Sequence, residues 1–138
     1  MSGVNRGLTA LAVLLLGACG GGTTSHAGWS GPPELRPRDG VLEVETFRQH
    51  AEAVDESWER APTALAREFL QGDEGETSVH GGRVTVLRDG LEDDSIRAER
   101  WVLELERDDD RWTLLSARWE QRCHVGRGHQ TFSAELCL

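Results

Sequence analysis

Three hydrophobic patterns follow one another along the chain, and each predicts a different kind of structure. Residues 8–18 are uncharged and almost wholly apolar, with no alternation. From Phe47 to Leu70 apolar residues recur every three or four positions, the spacing of one helix face. From Val79 onward apolar and polar residues alternate, the period of a strand with one buried side.

In the middle pattern Phe47, Ala51, Val54 and Trp58 predict a first helix over residues 47–58. Thr46 and Gln49 have the capping-box spacing that would open it, the hydroxyl taking an orphan N–H and the amide reaching back. Pro62 suits the first turn of a second helix, where its missing N–H is not needed. Ala61, Leu65 and Phe69 would form the buried stripe of that helix, and Gly72 would end it.

The alternating pattern predicts a short strand near Val79, a turn at Gly81-Gly82, and a strand over residues 83–87. A long hairpin follows, residues 96–107 and 111–123 around Asp108-Asp109-Asp110. If Arg107 faces Arg111, then Leu105 faces Thr113, Leu103 faces Leu115 and Trp101 faces Ala117, with Trp119 further along the same face. The helices would cover that side. The same register sends Trp112, Leu114 and Val102 to the outer side among Glu104, Glu106, Ser116 and Arg118. The expected fold is therefore α+β: two N-terminal helices packed on one face of a three- to four-stranded antiparallel sheet, with a C-terminal disulfide loop.

The first pattern has a separate meaning. Arg6 precedes the apolar run, no acid appears before Glu34, and the run closes on Leu16-Gly17-Ala18-Cys19. An ordinary signal-peptidase site wants small residues in an A-x-A-like pattern, and Leu16 is large. The four residues resemble the lipobox of bacterial lipoproteins, which implies a signal peptide over residues 1–18, diacylglyceryl attachment to the Cys19 thiol and cleavage before it. No twin arginine is present, so general secretion is the implied route. A run of eleven residues is about half what spanning hydrocarbon requires, so lipid would be the anchor. The expected location is a cell membrane or outer membrane, with the domain on the non-cytoplasmic side.

Residues 19–39, with three glycines directly after Cys19 and with Pro32, Pro33 and Pro37, read as a flexible tether in which Trp29 is out of place. Residues 40–138 suffice for one small domain. All fifteen basic residues are Arg, and loss of residues 1–18 leaves 14 against 24 acids, net −10. That charge disfavours nucleic acid and repels anionic headgroups.

Cys123 and Cys137 remain after lipidation of Cys19, and in an exported chain two spare cysteines most simply pair. A metal site with His124 and His129 is the rival, although the spacing fits no familiar zinc pattern. Gly126-Arg127-Gly128 could turn N–H groups and a guanidinium toward an anion, and His129 could act there as an acid or base. Glu52, Asp55, Glu56 and Glu59 read as a solvated helix face paired i,i+4 with Arg48 and Arg60. The aspartates at 108–110 lack the spaced ligands of a calcium loop and read as a polar turn.

These readings make the chain a lipid-anchored, non-enzymatic binding module with no cofactor and no metal. Trp112, Leu114, Arg118, Arg127 and His129 are its candidate binding residues, and an envelope protein or a small ligand is its partner. The alternative is a ligand pocket or enzyme between helices and sheet, with His129 or His80 beside a carboxylate. The order of helices then strands is similar to that of the cystatin-like and NTF2-like rolls, which host binding proteins and some small-molecule enzymes; order alone carries that likeness.

Overall fold

The computed structural model describes residues 28–72 and 75–138. Residues 1–27 lie outside it, and with them the expected signal peptide, Cys19 and the first part of the expected tether. Along the described chain run β1 (Val41–Leu42), α1 (Glu45–Ala53), a 3-10 turn (Ser57–Arg60), α2 (Pro62–Phe69), β2 (Glu76–His80), β3 (Arg83–Asp89), β4 (Ile96–Asp108) and β5 (Arg111–Cys123). The fold is α+β. Its sheet has five antiparallel strands in the order β1-β5-β4-β3-β2, more than the three or four expected. β1 escaped the pattern because two residues are too few to show a period.

The helices cover one face of the sheet, and the core lies between. Phe47, Leu65, Phe69 and Leu70 meet Val84, Trp101, Leu103, Leu114 and Trp119, all buried. Burying a side chain of this size contributes about 1.5–3 kcal/mol, so this layer carries most of the stability. Gly82 joins β2 to β3 where a side chain would not fit: a Cβ there would stand 2.2 Å from the carbonyl oxygen of Leu105. Among the described residues no helix is long and apolar enough to cross a membrane.

The first helix is shorter than its apolar spacing implies. It begins after Val44, with Glu43 rather than Thr46 supplying a side-chain acceptor: the Thr46 N–H donates to Glu43 Oε1 at 3.0 Å. It ends at Ala53, and Val54 is extended. Trp58 belongs to the separate 3-10 turn, where Glu56 and Glu59 form the reciprocal capping box. Arg111 accounts for the break. Its Nη2 donates to the carbonyls of Ala51 (3.4 Å) and Val54 (3.3 Å) and pairs with Glu59, so strand β5 ties off the helix end.

The hairpin register also differs from expectation. Asp108 pairs with Arg111 across a two-residue turn, with Asp109 at φ 52°, and Leu105 pairs with Leu114. Between the Leu105–Leu114 and Glu104–Ser116 pairs, Leu115 is an extra residue, a β-bulge. Leu103 then faces Ala117 and Trp101 faces Trp119. One residue of slip reverses the faces of a strand, and the bulge restores them beyond Leu115. Leu114, expected on the outer side, is therefore 1 % exposed in the core, and Trp112 packs against that core from the same side. Leu115 takes the solvent side instead, 46 % exposed.

The second half of the expected tether is part of the domain. Trp29 donates its indole N–H to the Phe69 carbonyl at 3.0 Å and lies with its ring centroid 5.1 Å from Phe47 and 6.0 Å from Phe69. Trp101 donates to the Leu35 carbonyl at 2.9 Å, and Arg36 pairs with the buried Glu99. Two aromatic anchors and an ion pair hold a proline-rich segment that has no periodicity of its own.

Candidate functional site

At the turn end of the β4–β5 ladder, helix and sheet separate enough to leave a cleft of about 280 Å³. Phe47 of α1, Leu65 of α2 and Leu114 of β5 form its floor, and the half-buried Trp112 forms a wall. Arg48, Glu52 and Asp108 stand around it. The Glu59–Arg111 pair closes the inner end. Glu59 is 2 % exposed, while the Arg111 side chain keeps 42 % of its surface.

The charges divide between satisfied and available groups. Glu59 is committed to Arg111 and to the Glu56 N–H. Arg48 reaches Glu45 at 3.4 Å through Nη1, yet its Nε is buried and meets no acceptor among the described residues. A buried donor without a partner costs on the order of 1–3 kcal/mol. The cleft thus offers an apolar floor, an indole wall, the Arg48 side chain and the carboxylates of Glu52 and Asp108 among its lining.

Sequence reasoning read the acids of this region as a solvated, i,i+4-paired face, and that reading is corrected for Glu59, which is buried. Arg60 pairs with Asp55 (2.9 Å) and reaches across to Asp110 in the hairpin turn (3.3 Å) rather than with the Glu56 carboxylate. These two acids, Asp55 foremost, raise the Arg60 pKa above its ordinary value. Arg48, Glu59 and Arg111 were missed as site residues because nothing in their spacing marks them. They converge only when the hairpin turn is folded against the end of α1.

The five candidate binding residues do not form one site. Trp112 and Leu114 belong to the cleft, one in its wall and one in its floor. Arg118 lies on the outer sheet face, 4.0 Å from Glu120. Arg127 and His129 lie beyond the far end of β5, on the order of 40 Å along an extended strand of this length from Trp112. The outer face itself is a ladder of charges: Arg83 pairs with Glu104 and Arg100 with Glu120, each at 2.6 Å, around the half-buried Val102. Phe132 lies against it, 4.2 Å from the Arg100 guanidinium.

The far end is closed. Cys123 and Cys137 form a disulfide with their Cα atoms 5.5 Å apart. His129 lies beside the bridge, its ligand atom within 4.8 Å of both sulfurs. The sulfurs are bonded to each other, and a zinc site would need both as thiolates. Both ring nitrogens of His129 face backbone carbonyls, Nδ1 that of Thr131 at 2.7 Å and Nε2 that of Glu135 at 2.8 Å. The ring is a clasp for the loop rather than an open acid or base. The Arg127 N–H, a member of the expected anion nest, donates inward to the His124 carbonyl at 2.9 Å.

Compared with known protein families, curated proteins and solved structures, the chain matches none.

Proposed function

We propose that this is an exported, lipid-anchored binding protein, not an enzyme, that holds a small amphipathic ligand in the cleft between α1 and the β4–β5 turn. The observation that supports the reading is a cleft floored by Phe47, Leu65 and Leu114, walled by Trp112 and lined also by Arg48. Such a lining suits a ligand with an aromatic or aliphatic body and a hydrogen-bond acceptor. Glu52 and Asp108 favour a positive or donor group beside it. We read the carboxylates of Glu52 and Asp108 in its lining as recognition groups rather than as an acid and a base. Trp112 and Leu114 keep the binding role expected of them, from the inner side of the sheet. In this reading the sheet is a cystatin-like or NTF2-like roll, and the ligand sits between its layers.

Export rests on Leu16-Gly17-Ala18-Cys19 and on the Cys123–Cys137 bridge, a bond that persists outside reducing compartments. The anchor is tested by intact mass of the protein from its native membrane: an N-terminus at Cys19 carrying acyl mass is expected.

For the cleft, L-phenylalanine is a compact probe, with phenethylamine and 3-phenylpropionate as its two halves. Saturable binding of the zwitterion by calorimetry is expected, stronger than that of either half. Trp112→Ala and Arg48→Gln should each weaken it about tenfold, equivalent to about 1.4 kcal/mol. Binding that neither change affects, in variants with unaltered circular dichroism, would place recognition elsewhere.

A further inference from the structure

The sheet has two edges, and they are treated differently. On one side β1 pairs with Ala117 and Arg118 of β5, and Ser133 bridges to Gln121 just beyond, so the second half of β5 is covered. On the other side β2 is the last strand, and all five of its residues are exposed. Among the described residues no strand pairs with its free edge. Edge strands are commonly guarded by proline, lysine, a bulge or an inward-pointing charge. Glu76-Thr77-Ser78-Val79-His80 has no proline or lysine, and its pairing with β3 runs without a bulge.

The direction of its main-chain groups follows from the neighbouring ladder. Leu105 donates to the Gly82 carbonyl at 2.6 Å, so Gly82 and then Val84 and Val86 turn their main-chain groups toward β4. Arg83, Thr85 and Leu87 therefore bond to β2, where they face His80, Ser78 and Glu76. That leaves Thr77 and Val79 with N–H and C=O groups directed to the open edge.

We infer that the β2 edge is a homodimer interface, in which a second copy of this chain adds its own β2 antiparallel about a two-fold axis through Ser78. This register is self-complementary. Thr77 and Val79 exchange main-chain hydrogen bonds with the partner's Val79 and Thr77, using the groups that the fold leaves open. Glu76 stands opposite the partner's His80, so a carboxylate meets an imidazole N–H on both sides of the axis. Val79, 37 % exposed, is partly covered by its cross-strand neighbour. The product is one continuous ten-stranded sheet with the helices of both copies on the same face. A two-fold interface requires a surface that fits itself, and this strand does so in backbone, charge and side-chain size.

The test is register-specific cross-linking of the full chain in detergent. In the non-hydrogen-bonded pair at the axis, the Cα atoms of the two copies approach to about 4.5 Å. Ser78→Cys should therefore convert under mild oxidant to a dimer linked through position 78, identified by peptide mass. The parent chain under the same oxidant controls for Cys19, and Glu76→Cys, which faces position 80 and not itself, should link at least tenfold more slowly. Val79→Pro removes an outward N–H without touching the β2–β3 bonds, and in the Ser78→Cys background it should abolish the link while circular dichroism is unchanged. A Ser78→Cys chain that stays monomeric, a Glu76→Cys chain that links equally fast, or a link indifferent to Val79→Pro would overturn the interface. These outcomes are read apart from binding in the cleft, whose lining includes no residue of β2.

Discussion

The two ends of the β4–β5 ladder are closed by different physics. At the Cys123 end the chain is held by a disulfide, by His129 between two carbonyls, and by Gln121 donating to the Glu135 carbonyl at 2.6 Å. Gly128 is threaded so tightly there, at φ 138°, that a Cβ would lie 2.9 Å from Cys123 Sγ. At the turn end one guanidinium, Arg111, gathers the carbonyls at the end of α1 and the carboxylate of Glu59. Covalent closure packs its end tightly, although Gln121 Oε1 and Arg122 Nε there are buried and meet no partner among the described residues. Electrostatic closure by a single side chain leaves room beside it, and the cleft lies at that end.

Breaking each end should separate the two roles. The largest effect is expected at the covalent end: Cys123→Ser with Cys137→Ser should cost about 3 kcal/mol, the chain-entropy value for a loop of about 15 residues. Chemical denaturation would measure it, and probe binding at the distant cleft should be retained as long as the protein stays folded. Arg111→Ala should cost about 2 kcal/mol, below the 3–5 of a fully buried pair because the Arg111 side chain is 42 % exposed. That change should also lower affinity for the probe, since a buried Glu59 without its partner disturbs the cleft floor. A stable Arg111→Ala variant with undiminished affinity would break the link between closure and recognition.

The smallest effect is an acid sensitivity near the closed end. Asp93 accepts the N–H groups of Ile96 (2.7 Å) and Ser95 (2.8 Å), and these bonds, Ile96 foremost, hold its carboxyl below the ordinary value of 3.8. Gly90 N–H and then Arg122 and Arg97 do the same for Asp89. A carboxyl whose pKa is depressed by folding contributes stability that is complete above its ordinary value and is lost as pH falls through the depressed one. The thermal midpoint should therefore decline as pH drops below about 4, and Asp93→Asn should flatten that decline relative to the parent.

Much of the architecture was legible because period and position are local properties. The alternation through 96–107 and 111–123 set out the hairpin, Pro62 opened α2, and the two spare cysteines found each other. Trp29 was legible as an anomaly: a tryptophan in a proline-rich stretch has no local reason to be there, and its reason proved to be Phe47 and Phe69. The faces of the hairpin near its turn were not legible. Alternation does not say where a strand takes an extra residue, and Leu114-Leu115 presents two equivalent candidates for one inward position.

From sequence alone come the order of the two α-helices and of β2 to β5, the strand and helix periods, the disulfide, and the export and lipid-attachment expectation carried by Leu16-Gly17-Ala18-Cys19. Each depends on residues close in the chain or on the chemistry of a few side chains. Tertiary structure alone decided that Leu115 bulges, that Leu114 and Trp112 turn inward, that Glu59 is buried against Arg111, and that β2 is left at an open edge. Those outcomes depend on which distant groups compete for the same carbonyl, core position or strand edge. Such competition arises only when segments far apart in the chain are packed together.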